Sequence, residues 1–197
     1  MLLLGCAAGS EPPEPLAGGA SFPPSGFLGD YSALRPGGGS RARLVFLDTA
    51  VDFSGYERVI IEPVAVWKSD EARFAGVPSS QREALAREFE AELERAFGEL
   101  FDVREGKPGP DTLRLRGALT AAIADSESSD PGLRYIEVEL ELRDAVTNAR
   151  LAAAVDSKGP PQVVDAGSAF RDWAERVAVR VAALRDFDRQ QRAPSAP

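Results

Sequence analysis

Ile136-Glu137-Val138-Glu139-Leu140-Glu141-Leu142-Arg143 alternates an apolar residue with a charged one at every step. Successive side chains of a strand point to opposite faces. The pattern therefore predicts a β-strand with Ile136, Val138, Leu140 and Leu142 on its core side. The other side, with Glu137, Glu139, Glu141 and Arg143, is expected to meet water or to pair with an arginine-bearing neighbour. Asp144-Ala145-Val146-Thr147-Asn148 reads as a turn in which Asn148 tolerates left-handed geometry. Leu151, Ala153 and Val155 return the hairpin. Upstream, Leu113, Leu115, Leu119 and Ile123 lie opposite Arg114, Arg116 and Thr120, a second alternating strand.

Working outward, Leu44–Leu47 and Phe101–Val103 read as short strands. Val59-Ile60-Ile61-Glu62-Pro63-Val64-Ala65-Val66-Trp67 is a near-continuous β-branched run, expected to be covered on both faces. Pro63 donates no ladder hydrogen bond, so the strand is bulged there or locally at an edge. Ser80-Gln81-Arg82-Glu83 has the form of a capping box, with Ser80 at N-cap and Glu83 at N3. The helix it opens places Leu85, Phe89, Leu93, Ala96, Phe97 and Leu100 on one stripe, with Gly98 as C-cap. A second helix runs from Ser168 with Phe170, Trp173, Ala174, Val177, Val181 and Leu184 at helical spacing, and Trp173 belongs to the core. Strands and helices are grouped rather than alternating. That predicts an α+β fold, a mixed or antiparallel sheet of about five to six strands with two helices packed on one face.

The ends of the chain differ from this middle. Leu2-Leu3-Leu4-Gly5-Cys6 has the form in which a bacterial lipoprotein signal peptide ends, and Cys6 is the only cysteine. Residues 1–6 are shorter than a signal peptide needs, so they read as its remnant, with a basic, apolar segment expected upstream. Residues 7–25 are Pro- and Gly-rich and are expected to form a disordered linker. It would reach about 23 Å as a coil and about 60 Å fully stretched. Residues 26–187 are expected to form a single α+β domain, and 188–197 a flexible polar tail.

Composition narrows the chemistry. The chain has 197 residues, 44% hydrophobic and 27% charged, a proportion ordinary for a globular domain. A net charge of -8 argues against nucleic acid and against electrostatic attachment to anionic lipid. No apolar run approaches the roughly 18 residues needed to span a bilayer. The chain has no histidine, which removes His-ligated zinc and His-dependent nucleophile systems. Gly37-Gly38-Gly39-Ser40 lacks the Lys and the preceding strand of a phosphate loop, and no cofactor is expected.

Four residues stand out as candidate binding positions, namely Asp30, Tyr31, Glu62 and Trp67. Phe27, Tyr31 and Leu34 share one face of a short turn, which either docks on the core or presents an aromatic patch. Glu62 is an acid inside an apolar run, either solvated or paired at the bulge, or facing a ligand. Glu62 with Asp125 or Glu127 could act as acid and base of a hydrolase, although no spacing argues that they meet.

These motifs resemble the DUF3313 family of bacterial lipoproteins of unknown function. The matching features are the Cys6 lipobox, Gly26-Phe27-Leu28 with Asp30-Tyr31 and Leu34, and Ile61-Glu62-Pro63-Val64 with Trp67. The C-terminal hairpin and the helix around Phe170 and Trp173 also fit, so the resemblance covers roughly residues 22–187. Asp125–Gly132 departs from it, as a short polar loop where relatives are expected to carry a longer, more apolar insertion. The resemblance supplies no catalytic residues. It implies a protein anchored in the membrane through acylated Cys6, and Ala7 after the cysteine favours the periplasmic face of the outer membrane. The expected role is a non-catalytic interaction module for an envelope protein or cell-wall ligand. The alternative is a small-molecule or peptidoglycan-fragment binding domain that stacks its ligand on Tyr31 or Trp67.

Overall fold

The alternating stretch lies within a twelve-residue strand at the centre of one mixed sheet. The structure, a computed structural model, describes residues 23–38, 42–67, 71–104, 106–125, 132–160 and 164–192. In chain order the strands are β1 (Arg35–Pro36), β2 (Leu44–Leu47), β3 (Arg58–Ile61), β4 (Ala65–Val66), β5 (Asp102–Val103), β6 (Thr112–Ala124), β7 (Leu133–Asp144) and β8 (Arg150–Lys158). Helix α1 (Ser79–Gly98) precedes β5, and helix α2 (Ala166–Arg192) follows β8. The sheet order is β1-β2-β8-β7-β6-β3-β5, with β4 also paired to β6. From β1 to β6 the neighbours are antiparallel, whereas β3 runs parallel to both β6 and β5.

The sheet is larger than the five to six strands expected. β1 and β4 have two residues each, too few to show a period. The run from Val59 to Trp67 also supplies two strands rather than one. Ile61 pairs with Leu115 and Ala65 with Ala118, so four steps on one strand face three on the other, a bulge at Glu62-Pro63-Val64. There the Val64 N–H leaves the ladder and donates to the Glu90 carboxylate of α1 at 2.8 Å. Gly117 lies opposite the bulge. A Cβ there would meet Leu140 at 3.0 Å and Val64 at 3.4 Å, so its lack of a side chain lets both pack.

Both helices cover one face of the sheet, where Leu113, Leu115, Ile136, Val138, Leu140 and Leu142 join their buried stripes. The helix ends depart from the sequence reading. Pro78, not Ser80, is the N-cap of α1 and makes no side-chain cap, so the Ser80–Glu83 box does not form. Pro78 has its φ already fixed and accepts from Gln81 and Arg82, which starts the helix two residues early. Gly98 lies inside the helix, and the C-cap is Glu99 in a right-handed conformation. Asp165 caps α2 by accepting the Ser168 N–H at 2.8 Å. α2 then runs into the stretch expected to be a flexible tail. Asp188 accepts the Phe53 N–H at 2.7 Å and Arg189 donates to the Ser54 carbonyl at 3.0 Å, which holds its last turns. Asn148 takes the left-handed conformation expected of it, with φ 61°.

Candidate functional site

The second face of the sheet does not meet water. Phe27, Leu28 and Leu34 cover it and form a smaller core with Ala118, Ala153 and Val155. Beneath them Glu137, Glu139 and Glu141 are 0–1% exposed. Burying a carboxylate costs several kcal/mol unless partners compensate it, and the partners are the arginines. Glu141 accepts from Arg116 at 2.9 Å, from Arg143 at 2.7 and 2.9 Å, and from Arg150. Burial opposes ionisation of Glu141, but hydrogen bonds from Arg143 and Arg150 outweigh it and hold the carboxyl below its ordinary range. Glu137 accepts from Arg43 at 2.8 Å, Arg73 at 3.2 Å, Thr120 at 3.1 Å and Tyr135 at 2.9 Å. Burial, with the Glu137 charge alongside, pushes the Tyr135 hydroxyl up to about 12.

Glu139, between them, has no ion-pair partner among the described residues. Its carboxylate accepts from the Tyr31 hydroxyl at 2.6 Å and the Ser25 N–H at 3.4 Å. The same hydroxyl accepts the Gly26 and Leu28 N–H groups at 3.0 and 3.2 Å. Burial, then the bond to Glu139, raises the Tyr31 pKa above its usual value. Residues 23–34 thus form a strap that Tyr31 fastens to the acid stripe. Arg150 donates to the Leu28 and Asp30 carbonyls, Arg73 to the Pro23 carbonyl, and the Trp67 indole to the Ser25 carbonyl at 2.9 Å. The Trp67 ring meets Phe27 edge-on at 5.3 Å, and Arg116 stacks over Phe27 at 5.2 Å. Tyr31→Phe removes a hydrogen bond to a buried charge, so it should cost about 1.5–3 kcal/mol in urea unfolding. A loss under about 0.5 kcal/mol would mean the strap is not held by this hydroxyl.

The structure therefore brings Tyr31 and Trp67 together around the strap, each ring with its contacts inside the molecule. The Asp30 side chain is exposed and accepts the Ser32 N–H at 2.8 Å, which lowers its pKa. Glu62 pairs with Arg114 at 2.9 Å and Arg116 at 3.3 Å, the paired state expected of it at the bulge. Its proposed acid–base partner does not meet it. Glu62 N–H bonds the Leu115 carbonyl, and Asp125 follows the far end of β6, about 30 Å away at the rise of a strand. Glu127 and Cys6 lie outside the described residues. Among the described residues no three Cys, Asp or Glu side chains converge to hold a metal ion.

The sequence reading missed the burial of Glu137, Glu139 and Glu141 and the roles of Arg43, Arg73 and Arg150. The available signal was three like charges on one strand face, which repel unless cations lie among them.

On the helix face, α2 leaves part of β2 and β8 uncovered. There lies an open-sided groove of about 580 Å³. Its floor is Val45 and Leu47 of β2 with Ala152 and Ala154 of β8, and its wall is Val177 and Leu184 of α2. Asp156 closes one end, its carboxylate held by Trp173 at 2.7 Å and Arg176 at 3.1 Å. Arg180 lies on the rim.

A family model described as "Protein of unknown function (DUF3313)" matches residues 23–183, from the first residue of the strap to near the end of α2. The chain belongs to the DUF3313 family. No curated protein matches this DUF3313 chain. Solved structures similar to it include the PelC dodecamer from Paraburkholderia phytofirmans, at 14% identity over 71% of this chain and 96% of that one, with a TM-score of 0.43. A protein from Xanthomonas campestris is 17% identical over 74% and 91%, with a TM-score of 0.42. The lipoprotein GNA1162 from Neisseria meningitidis is 9% identical over 64% and 99%, with a TM-score of 0.38.

Proposed function

We propose that this DUF3313 chain is a lipid-anchored, non-catalytic binding module of the cell envelope, held on the periplasmic face of the outer membrane by acylated Cys6. The observation that carries this reading is the strap. Residues 23–34, whose first three fall in the stretch expected to be a disordered linker, are fastened over a buried acid stripe by Tyr31, Trp67, Arg73 and Arg150. The point where a tether would enter is therefore built into the sheet. Leu2-Leu3-Leu4-Gly5-Cys6 supports the anchor, and acyl chains combined with a second membrane signal anchor stably. The non-catalytic part rests on the carboxylates. Glu62, Glu137 and Glu141 are each held in ion pairs by arginines, an arrangement that suits a structural role better than proton transfer.

Tyr31 is tied to Glu139 and Trp67 already packs edge-on against Phe27, so these half-buried rings are a poorer stacking platform than an open apolar groove. We therefore place ligand binding at the groove between α2 and β8. The anchor is tested by Cys6→Ser, expressed with its natural upstream sequence and followed by cell fractionation. The wild type should sediment with membranes and the variant should move to the soluble fraction. Unchanged membrane association would end the tether reading.

A further inference from the structure

The groove on the helix face is apolar along its floor and wall, and it ends in a cation. Three features restrict what it can hold. First, it exists because β8 supplies methyl groups, Ala152 and Ala154, where β7 supplies Val138, Leu140 and Leu142. Second, its size suits a thin occupant. A methylene is close to a water molecule in size, with a share of liquid volume of about 30 Å³, so the groove holds about fifteen to twenty carbons. A helix with side chains, about 10 Å across, would fill it in little more than one turn. Third, Arg180 has no hydrogen-bond or ion-pair partner among the described residues. The residues one helical turn from it, Arg176, Val177, Ala183 and Leu184, include no acid. On a chain with net charge -8, this leaves a cation at the mouth of an apolar slot. Asp156, at the closed end, is paired with Arg176 and accepts the Trp173 indole N–H, so its carboxylate is turned to partners within the fold.

We propose that this groove binds one long-chain fatty acid, with its alkyl chain along Ala152, Ala154, Val177 and Leu184 and its carboxylate on Arg180. The proposal rests on the binding-module reading and names its ligand class. Alkyl burial supplies affinity without regard to charge, and the guanidinium selects an anionic head.

The test titrates the purified full chain with cis-parinaric acid and displaces it with palmitate or with hexadecanol, which has the same chain and no charge. Saturable one-to-one binding is expected. Arg180→Glu should weaken palmitate about tenfold and leave hexadecanol unchanged. This residue is exposed, so the variant should fold as the wild type does. Ala154→Leu fills the floor and should lower the affinity for both ligands at least tenfold, with a melting temperature at or above that of the wild type. The proposal is overturned if parinaric acid does not bind saturably, if Ala154→Leu binds as the wild type, or if Arg180→Glu affects the acid and the alcohol equally. A wild-type dimer by light scattering that Ala154→Leu dissolves would also overturn it, assigning the groove to a second copy. Failure of these titrations with Cys6→Ser still released from membranes would remove the fatty acid and leave the tether. The reverse pair of results would do the opposite.

Discussion

Glu141→Gln is expected to lower the free energy of unfolding by about 3–5 kcal/mol at pH 7, because it takes one partner out of a buried ionic cluster. Glutamine keeps the shape of the side chain and removes the charge. Arg116, Arg143 and Arg150 then converge on a neutral amide. These arginines are 17–33% exposed, so water relieves part of the repulsion and the loss belongs near the lower figure. The substitution also changes the response to acid. The folded pKa of Glu141 lies below its ordinary 4.5, so below pH 4.5 the unfolded chain binds more protons than the folded one. The stabilisation is complete above pH 4.5 and is lost as pH falls through the folded value. Urea unfolding of the wild type should therefore weaken below that pH, and Glu141→Gln should show a flatter acid limb. A variant within about 1 kcal/mol of wild type, with the same acid limb, would show that the cluster behaves as a surface network.

Phe89→Ala is expected to cost about 3–5 kcal/mol through the cavity it opens between the two helices. Phe89 is wholly buried. Its ring stacks on Phe170 at 4.9 Å and 23° and meets Trp173 edge-on at 6.3 Å. Refilling that site would require α1 and α2 to close on each other, and the sheet beneath both helices resists that. Because the two rings share one contact, Phe89→Ala and Phe170→Ala should be less than additive. A double-mutant cycle in guanidinium checks this, and additivity within about 0.3 kcal/mol would show that the rings are energetically independent.

Much of the sheet was legible because period-2 alternation is a local signal. It located β6, β7 and β8 and assigned Leu113, Leu115, Ile136, Val138, Leu140 and Leu142 to the core face. What covers the other face is not a local signal. Alternation assigns Glu137, Glu139 and Glu141 to a side, but Phe27, Leu28 and Leu34, which bury them, lie more than a hundred residues earlier. Tyr31 and Trp67 drew attention as unusual aromatics. Their role became visible only once the chain folded back and set them beside Glu139 and Ser25. The capping-box reading at Ser80 failed because Pro78, two residues upstream, had already fixed where the helix begins. The groove left no mark in the pattern, since Ala152 and Ala154 satisfy apolar positions whether or not anything lies over them.

The strap also determines how the domain meets a pull. Counted from Pro23, its attachments follow one another along the chain: Arg73 on the Pro23 carbonyl, Trp67 on Ser25, Tyr31 across Gly26 and Leu28, then Arg150 on Leu28 and Asp30. A load entering at residue 23 falls on one attachment at a time, as in peeling tape. The ladder between β6 and β7 shares any load across many rungs at once. The domain therefore has a weak link in series with a strong one, and the weak link lies at Pro23, on the N-terminal side.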